Sequence, residues 1–275
     1  MVQLILLGTG TPMPDPTRCG SGTAVTRGGA WVLVDCGRGV TQRALQAGLD
    51  LPSLHAVLIT HHHSDHVSDL ATLAITRWVA GAPNPLTVVA ANGPSARYAT
   101  SCLDSFEDQA FHAQVGPSSP KRPAITVNTF RADSSPEVVW HDAGWLVSAA
   151  LVDHHPIEAA VGYRIEADGR SVVVSGDTAV CDGIAGLAAG TDVLVHEALR
   201  SDLVPARSLE WNASAGSVGE LAHELSLNDV ILTHLLPAPH SVADEQAFVD
   251  EARASGYRGR LVIAHDLMVY GITRG

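Results

Sequence analysis

No stretch of this sequence approaches the roughly 20 consecutive apolar residues that a membrane-crossing helix needs, so no helical membrane span is expected. Basic residues are missing ahead of the apolar run in MVQLILLGTGTP at the N-terminus. That run therefore reads as a first strand rather than a secretory signal, and a cytoplasmic location is expected. Cysteine is scarce: Cys19, Cys36, Cys102 and Cys181 stand apart, with no C-x-x-C spacing. They read as reduced thiols, mostly in the core, and argue against a disulfide framework or a zinc knot. Charge is thin at 17% of residues and leans acidic, with a formal net charge of −12. Binding to long nucleic acids rests on Lys and Arg against phosphates, so this balance disfavours such a partner and points to a small-molecule substrate. No internal repeat of fixed period is visible. What the chain does have is a 46% apolar content over 275 residues, enough for one large domain or two small ones, and 14 histidines.

Short apolar runs alternate with helix-like segments. Residues 2–8, 22–27 and 30–36 read as strands, 40–49 as a helix, and HAVLIT (55–60) as a buried strand. Leu70, Leu73, Ala74 and Arg77 recur at helical spacing within 67–80; 86–91 is strand-like and 93–115 mostly helical. After a Pro/Ser loop at 116–123, five strand-like runs follow at short spacing, with Ala167-Asp168-Gly169-Arg170 as a hairpin turn. Helices at 182–189, 214–226 and 242–255 then alternate with strands at 192–198, 229–234 and 260–266. Strands then helices, twice over, fits two sheets packed face to face with helices outside.

The densest chemistry follows the strand at 55–60. His61, His63, Asp65 and His66 form an H-x-H-x-D-H spacing. In a turn leaving a strand, alternate residues point the same way, so His61 and His63 can share one ion. Asp65 and His66 fall in the first turn of the next helix and can face a second ion. Further candidates also follow strands: His154 or His155 in VDHHP, Asp177 in VVVSGDT, and His234 in VILTHLLP. Imidazole with carboxylate suits zinc first, and also manganese or iron.

These residues resemble the metallo-β-lactamase superfamily, and within it the ribonuclease Z and arylsulfatase-like branch. The similar segments run along nearly the whole chain: LLGTGTPMPDPTR, LVDCGRG, THHHSDH, HHPIEAAVGYRI, SGDT, THLLP and HDLM. The resemblance implies an α/β fold, an αββα four-layer sandwich of two mixed sheets with helices outside, in one domain spanning 1–275. It implies two divalent metal ions. His61, His63 and His154 would bind one, Asp65, His66 and His234 the other, and Asp177 would bridge them. His154 is preferred over His155 because it stands two residues before a Pro and eight before the glycine of Gly-Tyr, as in this branch. Asp35 would orient a ligand histidine. Homodimers are common in the branch.

Two such ions acidify a water into a nucleophile near neutral pH. The expected activity is therefore metal-dependent hydrolysis of phosphodiesters, small ones first. The alternatives are tRNA 3′-end cleavage or hydrolysis of lactones, esters or sulfate esters on the same metals. Two departures from the ribonuclease Z pattern carry that order. Its histidine in an H-S-T-like motif, 22 residues before the last ligand, is Asn212 here, and an amide donates a hydrogen bond but is no general acid. Only residues 155–176 separate His154 from Asp177, and a hairpin uses most of them, leaving no basic, Gly-rich arm. Asp65 is then a candidate for taking the nucleophile's proton, and His196 or His240 for serving as the acid. His265 reads as supporting a ligand, His62 as pointing away from the ions, and Trp78 as core. His55, His112, His141 and His223 read as surface or structural.

Overall fold

The computed structural model describes residues 1–106, 108 and 120–272. Fourteen strands among these residues form two seven-stranded sheets. The first holds β1 (Val2–Gly8), β2 (Gly22–Arg27), β3 (Ala30–Val34), β4 (Leu54–Ile59), β5 (Leu86–Ala91), β6 (Ile125–Phe130) and, beside β1, the last strand β14 (Met268–Gly271). The second holds β7 (Glu137–Asp142), β8 (Trp145–Leu151), β9 (Val161–Ala167), β10 (Arg170–Val174), β11 (Val193–Leu199), β12 (Asp229–Leu236) and β13 (Arg260–Ile263), in sequence order across the sheet. Helices α1 (Val40–Gln46), α2 (Ser64–Val67), α3 (Leu70–Val79) and α4 (Pro94–Ser101) belong to the first half. Helices α5 (Asp182–Ala188), α6 (Ala215–Glu224) and α7 (Val242–Ala254) belong to the second.

Strand parity builds the layers. In β1, Leu4 and Leu6 face the other sheet, while Ile5 and Leu7 face helices. The inter-sheet core joins Leu4, Leu6, Val32 and Leu58 to Tyr163, Ile165, Val172 and Val195. Outside the first sheet, Val40, Leu70 and Leu73 pack on Ile5, Leu33 and Val57. Outside the second, Ile184, Val218 and Phe248 cover Val173, Leu194 and Leu232. Strands buried on both faces read as continuous apolar runs rather than alternating ones, which is why these segments stand out in the sequence. The result is the expected αββα sandwich.

The hairpin at 167–170 forms as expected, with Asp168 and Gly169 at φ 51° and 68°, the two left-handed residues of a tight turn between antiparallel strands. Several boundaries shift. The helix expected over 67–80 is two helices, α2 and α3, and the strand expected over 260–266 ends at Ile263. The chain then crosses to the first sheet as β14, a strand not expected from the sequence. Of the helix expected over 93–115, α4 is described; residues 107 and 109–119 lie outside the described residues, and with them His112 and part of the 116–123 loop. All four cysteines are free.

One side chain ties the sheets at the functional edge. Tyr163, on β9, is fully buried, and its hydroxyl lies 2.9 Å from Ile59 O and 3.2 Å from Val89 O at the ends of β4 and β5. Tyr163→Phe leaves those carbonyls one donor short. We expect it to lower the unfolding free energy by about 1–2 kcal/mol, read as a lower urea midpoint; an unchanged midpoint would contradict the tether.

Candidate metal centre

Parallel strands deliver their loops to one edge. β3, β4 and β5 run parallel in one sheet, and β10, β11 and β12 in the other. Asp35, His61, Asp177 and His234 lie at the C-terminal ends of β3, β4, β10 and β12. The segment after β8 supplies His154. It is laced to the Asp177 turn by Ala179 N donating to Asp153 O (2.9 Å) and Asp153 N donating to Thr178 Oγ1 (3.0 Å).

Seven side chains, remote in sequence, converge. His61 Nε2 lies 2.9 Å from His63 Nδ1, and His154 Nε2 lies 3.4 Å from that same atom. Asp177 Oδ2 is 3.9 Å from His61 Nε2 and 4.0 Å from His154 Nε2. On the other side, His234 Nε2 and His66 Nε2 lie 3.2 and 3.6 Å from Asp65 Oδ2, and 3.6 and 3.4 Å from Asp177 Oδ1. Asp177 thus turns one oxygen to each group. The structure brings together all seven residues expected from the sequence, and it brings His154 rather than the exposed His155.

The donor set fits divalent cations. Ligands about 2.0–2.1 Å from a shared zinc stand a little over 3 Å apart, close to the spacings here. Buried polar atoms ordinarily have partners, yet His66 Nε2 and Asp177 Oδ1 are buried with none. The opposite ring nitrogens are already committed. His66 Nδ1 donates to Asp35 Oδ2 (2.7 Å) and His154 Nδ1 to Trp211 O (3.1 Å), so each Nε2 presents a lone pair to the cluster. Thr60 Oγ1 donates to Asp35 and sits 3.2 Å from His61 Nδ1, which aims His61 in the same way. Asp35, expected to orient one histidine, therefore orients two.

Electrostatics agree. Burial and the neighbouring His66 push the pKa of His61 well down, keeping it neutral. Burial works against ionising Asp177, but His234, His66 and His61 outweigh it and hold that carboxyl well below the usual range. Burial also opposes charge on His66, and Asp177 with Asp35 outweighs it, so its pKa rises well above normal. The carboxylates of the cluster thus favour positive charge between them, which a bound cation would supply.

Local backbone devices aim the ligands. The pairing of β11 with β12 skips His234: Glu197 opposes Thr233 and Ala198 opposes Leu235. This bulge, with His234 at φ 49°, turns the imidazole toward the cluster. Gly37 permits a close approach of two loops. A Cβ there would overlap Asp65 O, whose carbonyl accepts from Ser21 N (2.8 Å).

A cavity of about 170 Å³ opens on the cluster, walled by Thr11, Pro12, Glu197, Leu199, Asn212 and Leu236. Asn212 is one of these wall residues, its Nδ2 donating to Ser208 O (3.1 Å). Glu197 is a cavity residue that the sequence motifs do not reveal. Its Oε1 accepts from Thr178 N at 2.5 Å, while burial and Asp177 raise its pKa well above normal. Its sequence signal is parity, since Val193, Val195 and Glu197 share a strand face.

Three histidines need correcting. His196 alternates the other way, with Leu194 and Ala198, into the layer under the helices. It is fully buried, its Nδ1 donates to Glu197 O (2.8 Å), burial lowers its pKa to about 4, and it does not line the cavity. His240 lines a separate cavity, is 75% exposed and faces Asp15 at 3.8 Å. His265 pairs with Glu245 (3.3 Å) in that same cavity and supports no ligand. Its neighbour Asp266 is the structural residue, accepting from Thr9, Cys19 and Arg43. Trp78 is core, as expected.

The family model for the β-lactamase superfamily domain matches residues 30–235. The chain belongs to the metallo-β-lactamase superfamily of metal-dependent hydrolases. Within it, the chain is ribonuclease Z-like. It is 36% identical to ribonuclease Z of Mycobacterium bovis (strain BCG / Pasteur 1173P2) over 97% of both chains, and 38% identical to ribonuclease Z of Mycobacterium sp. (strain KMS) over 90% of this chain and 89% of that one. The human tRNase Z, short form, shares the fold with a TM-score of 0.76 at 20% identity, covering 99% of this chain and 100% of that one. The metallo-β-lactamase fold protein YhfI from Bacillus subtilis does so at 0.73 and 20%, over 98% of each. These ribonuclease relatives do not support the expected preference for a small-molecule substrate. Among the described residues, no helix is long and apolar enough to cross a membrane.

Asp177→Ala removes an oxygen from both ligand groups. We expect elemental analysis of that variant to find at least one ion fewer per chain than wild type, and full occupancy would contradict the shared position. Chelation of the wild type is expected to lower its thermal midpoint, because an ion that binds only the folded state stabilises it.

Proposed function

We propose that the chain is a dinuclear metal-dependent phosphodiester hydrolase that cleaves RNA, of the ribonuclease Z type that trims the 3′ side of tRNA precursors, within one domain spanning 1–275. The observation that carries this reading is the division of Asp177 between two ligand groups beneath a walled cavity. The 97% coverage of the ribonuclease Z relatives supports RNA as substrate. His61, His63 and His154 would hold one ion and Asp65, His66 and His234 the other, with Asp177 available to both; zinc suits the donors best, with manganese or iron next. When bound, such ions supply Lewis acidity and lower the pKa of water.

The chain's own residues do the rest. Asp35 fixes the ring orientation of His66 and, through Thr60, of His61. Asp65, held below the usual carboxylate range by His234 and His66 against the effect of burial, is ionised and able to accept the nucleophile's proton. Leu199, Leu236 and Pro12 give the cavity its apolar wall. Asn212 offers an amide donor where the leaving oxygen emerges, stabilising its charge without protonating it.

A second reading, hydrolysis of small diesters with good leaving groups, is favoured by Asn212 and by the absence of an arm in the 155–176 segment. The two readings separate in one experiment. Metal-loaded protein is given a precursor tRNA and bis(p-nitrophenyl) phosphate in parallel. We expect cleavage of both, with Asn212→His speeding only the RNA reaction, whose ribose alkoxide needs a proton. No RNA cleavage by either protein would leave the small-diester reading, and hydrolysis of lactones alone would overturn both.

A further inference from the structure

Beside the metal centre lies a second groove. β4 and β5 are parallel, Ile59 opposite Ala90, so the histidine turn and the start of α4 leave the sheet at the same edge. The groove runs along α4, has a volume of about 530 Å³, and is lined by Asn92, Gly93, Ala96, Arg97, Thr100 and Ser101. It is flanked by both segments that feed the first ligand group. On one side is His62, whose ring centroid is 5.8 Å from that of His63. On the other side, a Cβ on Gly93 would meet Ala159 Cβ at 3.7 Å, in the segment that follows His154.

The charge of Arg97 is what makes this groove selective. In a chain of net charge −12, several cations near the functional edge are committed, while Arg97, like Arg38, is exposed and has no carboxylate partner among the described residues. Arg18 and Arg43, in the larger cavity near His240, are held by Thr9, Ala264 and Asp266. Among the described residues, the arginine–carboxylate ion pairs use Arg27, Arg43, Arg164, Arg170 and Arg200; Arg97 is exposed and enters none of them. Thr100 and Ser101 donate their hydroxyls to Ala96 O and Arg97 O within α4, so the groove's remaining side-chain donors are the Arg97 guanidinium and the Asn92 amide, and a guanidinium without a carboxylate partner suits a phosphate. A small diester has its one phosphate in the metal centre and leaves this groove empty. A polynucleotide with one diester there carries its neighbouring phosphates out along the rim.

We propose that the α4 groove is a subsite for a backbone phosphate of RNA flanking the scissile bond, with Arg97 as its phosphate-binding residue. The inference rests on RNA being the substrate. It is tested with full-length, metal-loaded protein and a fluorescein-labelled precursor tRNA made uncleavable at the scissile diester, followed by anisotropy over a range of salt. Arg97→Ala is expected to weaken binding several-fold and to reduce the slope of log Kd against log salt by about 1, the signature of one lost phosphate contact. Arg97→Lys keeps the charge and is expected to keep the slope. In turnover, the loss should fall on KM for RNA rather than on kcat.

The slope of Arg97→Ala matching wild type, while wild type binds RNA, would overturn the subsite and leave the ribonuclease reading standing. An equal loss on bis(p-nitrophenyl) phosphate would mark Arg97 as scaffold and likewise overturn the subsite. Wild type that hydrolyses the small diester but neither binds nor cuts RNA would remove both ideas together.

Discussion

Lone pairs dislike one another, and much of the local design of this fold goes into holding the donor atoms of seven side chains together. His61 and His154 point nitrogen atoms at one oxygen of Asp177 with His63 beside them, while Asp65, His66 and His234 surround the other. In a buried, low-dielectric setting such a cluster is stable only if positive charge sits within it. Against the effect of burial, Asp177 and Asp35 raise the pKa of His66, the same pull toward positive charge that a cation between the two groups would answer. The rest of the edge resists relaxation of the cluster. Asp35 braces two rings, the bulge at His234 fixes a third, and backbone bonds from Ser21 N to Asp65 O (2.8 Å) and from Cys36 N to His66 O (2.7 Å) hold the turn in place.

The two halves of the sandwich contribute unequally but inseparably to this edge. The first sheet delivers the dense His61–His66 turn; the second delivers His154, Asp177, Glu197 and His234 one at a time from separate strand ends. Tyr163 reaches across from β9 to the carbonyls where β4 and β5 end, and Val161 N donates to Thr60 O (3.0 Å). The relative height of the sheets at the ligand edge is therefore set by hydrogen bonds within a few residues of the ligands, as well as by apolar packing in the core.

Much of this was legible in the sequence because the strands buried on both faces spell themselves out as apolar runs, and because four ligands crowd into six residues. What escaped depended on direction rather than position. His196 and Glu197 are adjacent on β11, and only strand parity says that the carboxylate faces the cavity while the imidazole faces the helices. Parity alone would have misled at His234, where a bulge reverses it. β14 escaped because four residues with a glycine carry little strand signal of their own; pairing with β1 makes them a strand. His265 and His240 drew notice as histidines near motifs, yet they turn to Glu245 and Asp15 in another cavity.

The bond from His154 Nδ1 to Trp211 O joins an ion ligand to the loop that carries Asn212, one residue further on. Reciprocity then follows from thermodynamics: if loading the cluster steadies that loop, anything that steadies the loop must, by the same factor, tighten the hold on the cation. Under that coupling, a molecule resting against Asn212 would help retain a bound ion, and the protein with an empty cavity would be the state from which the ion escapes most readily.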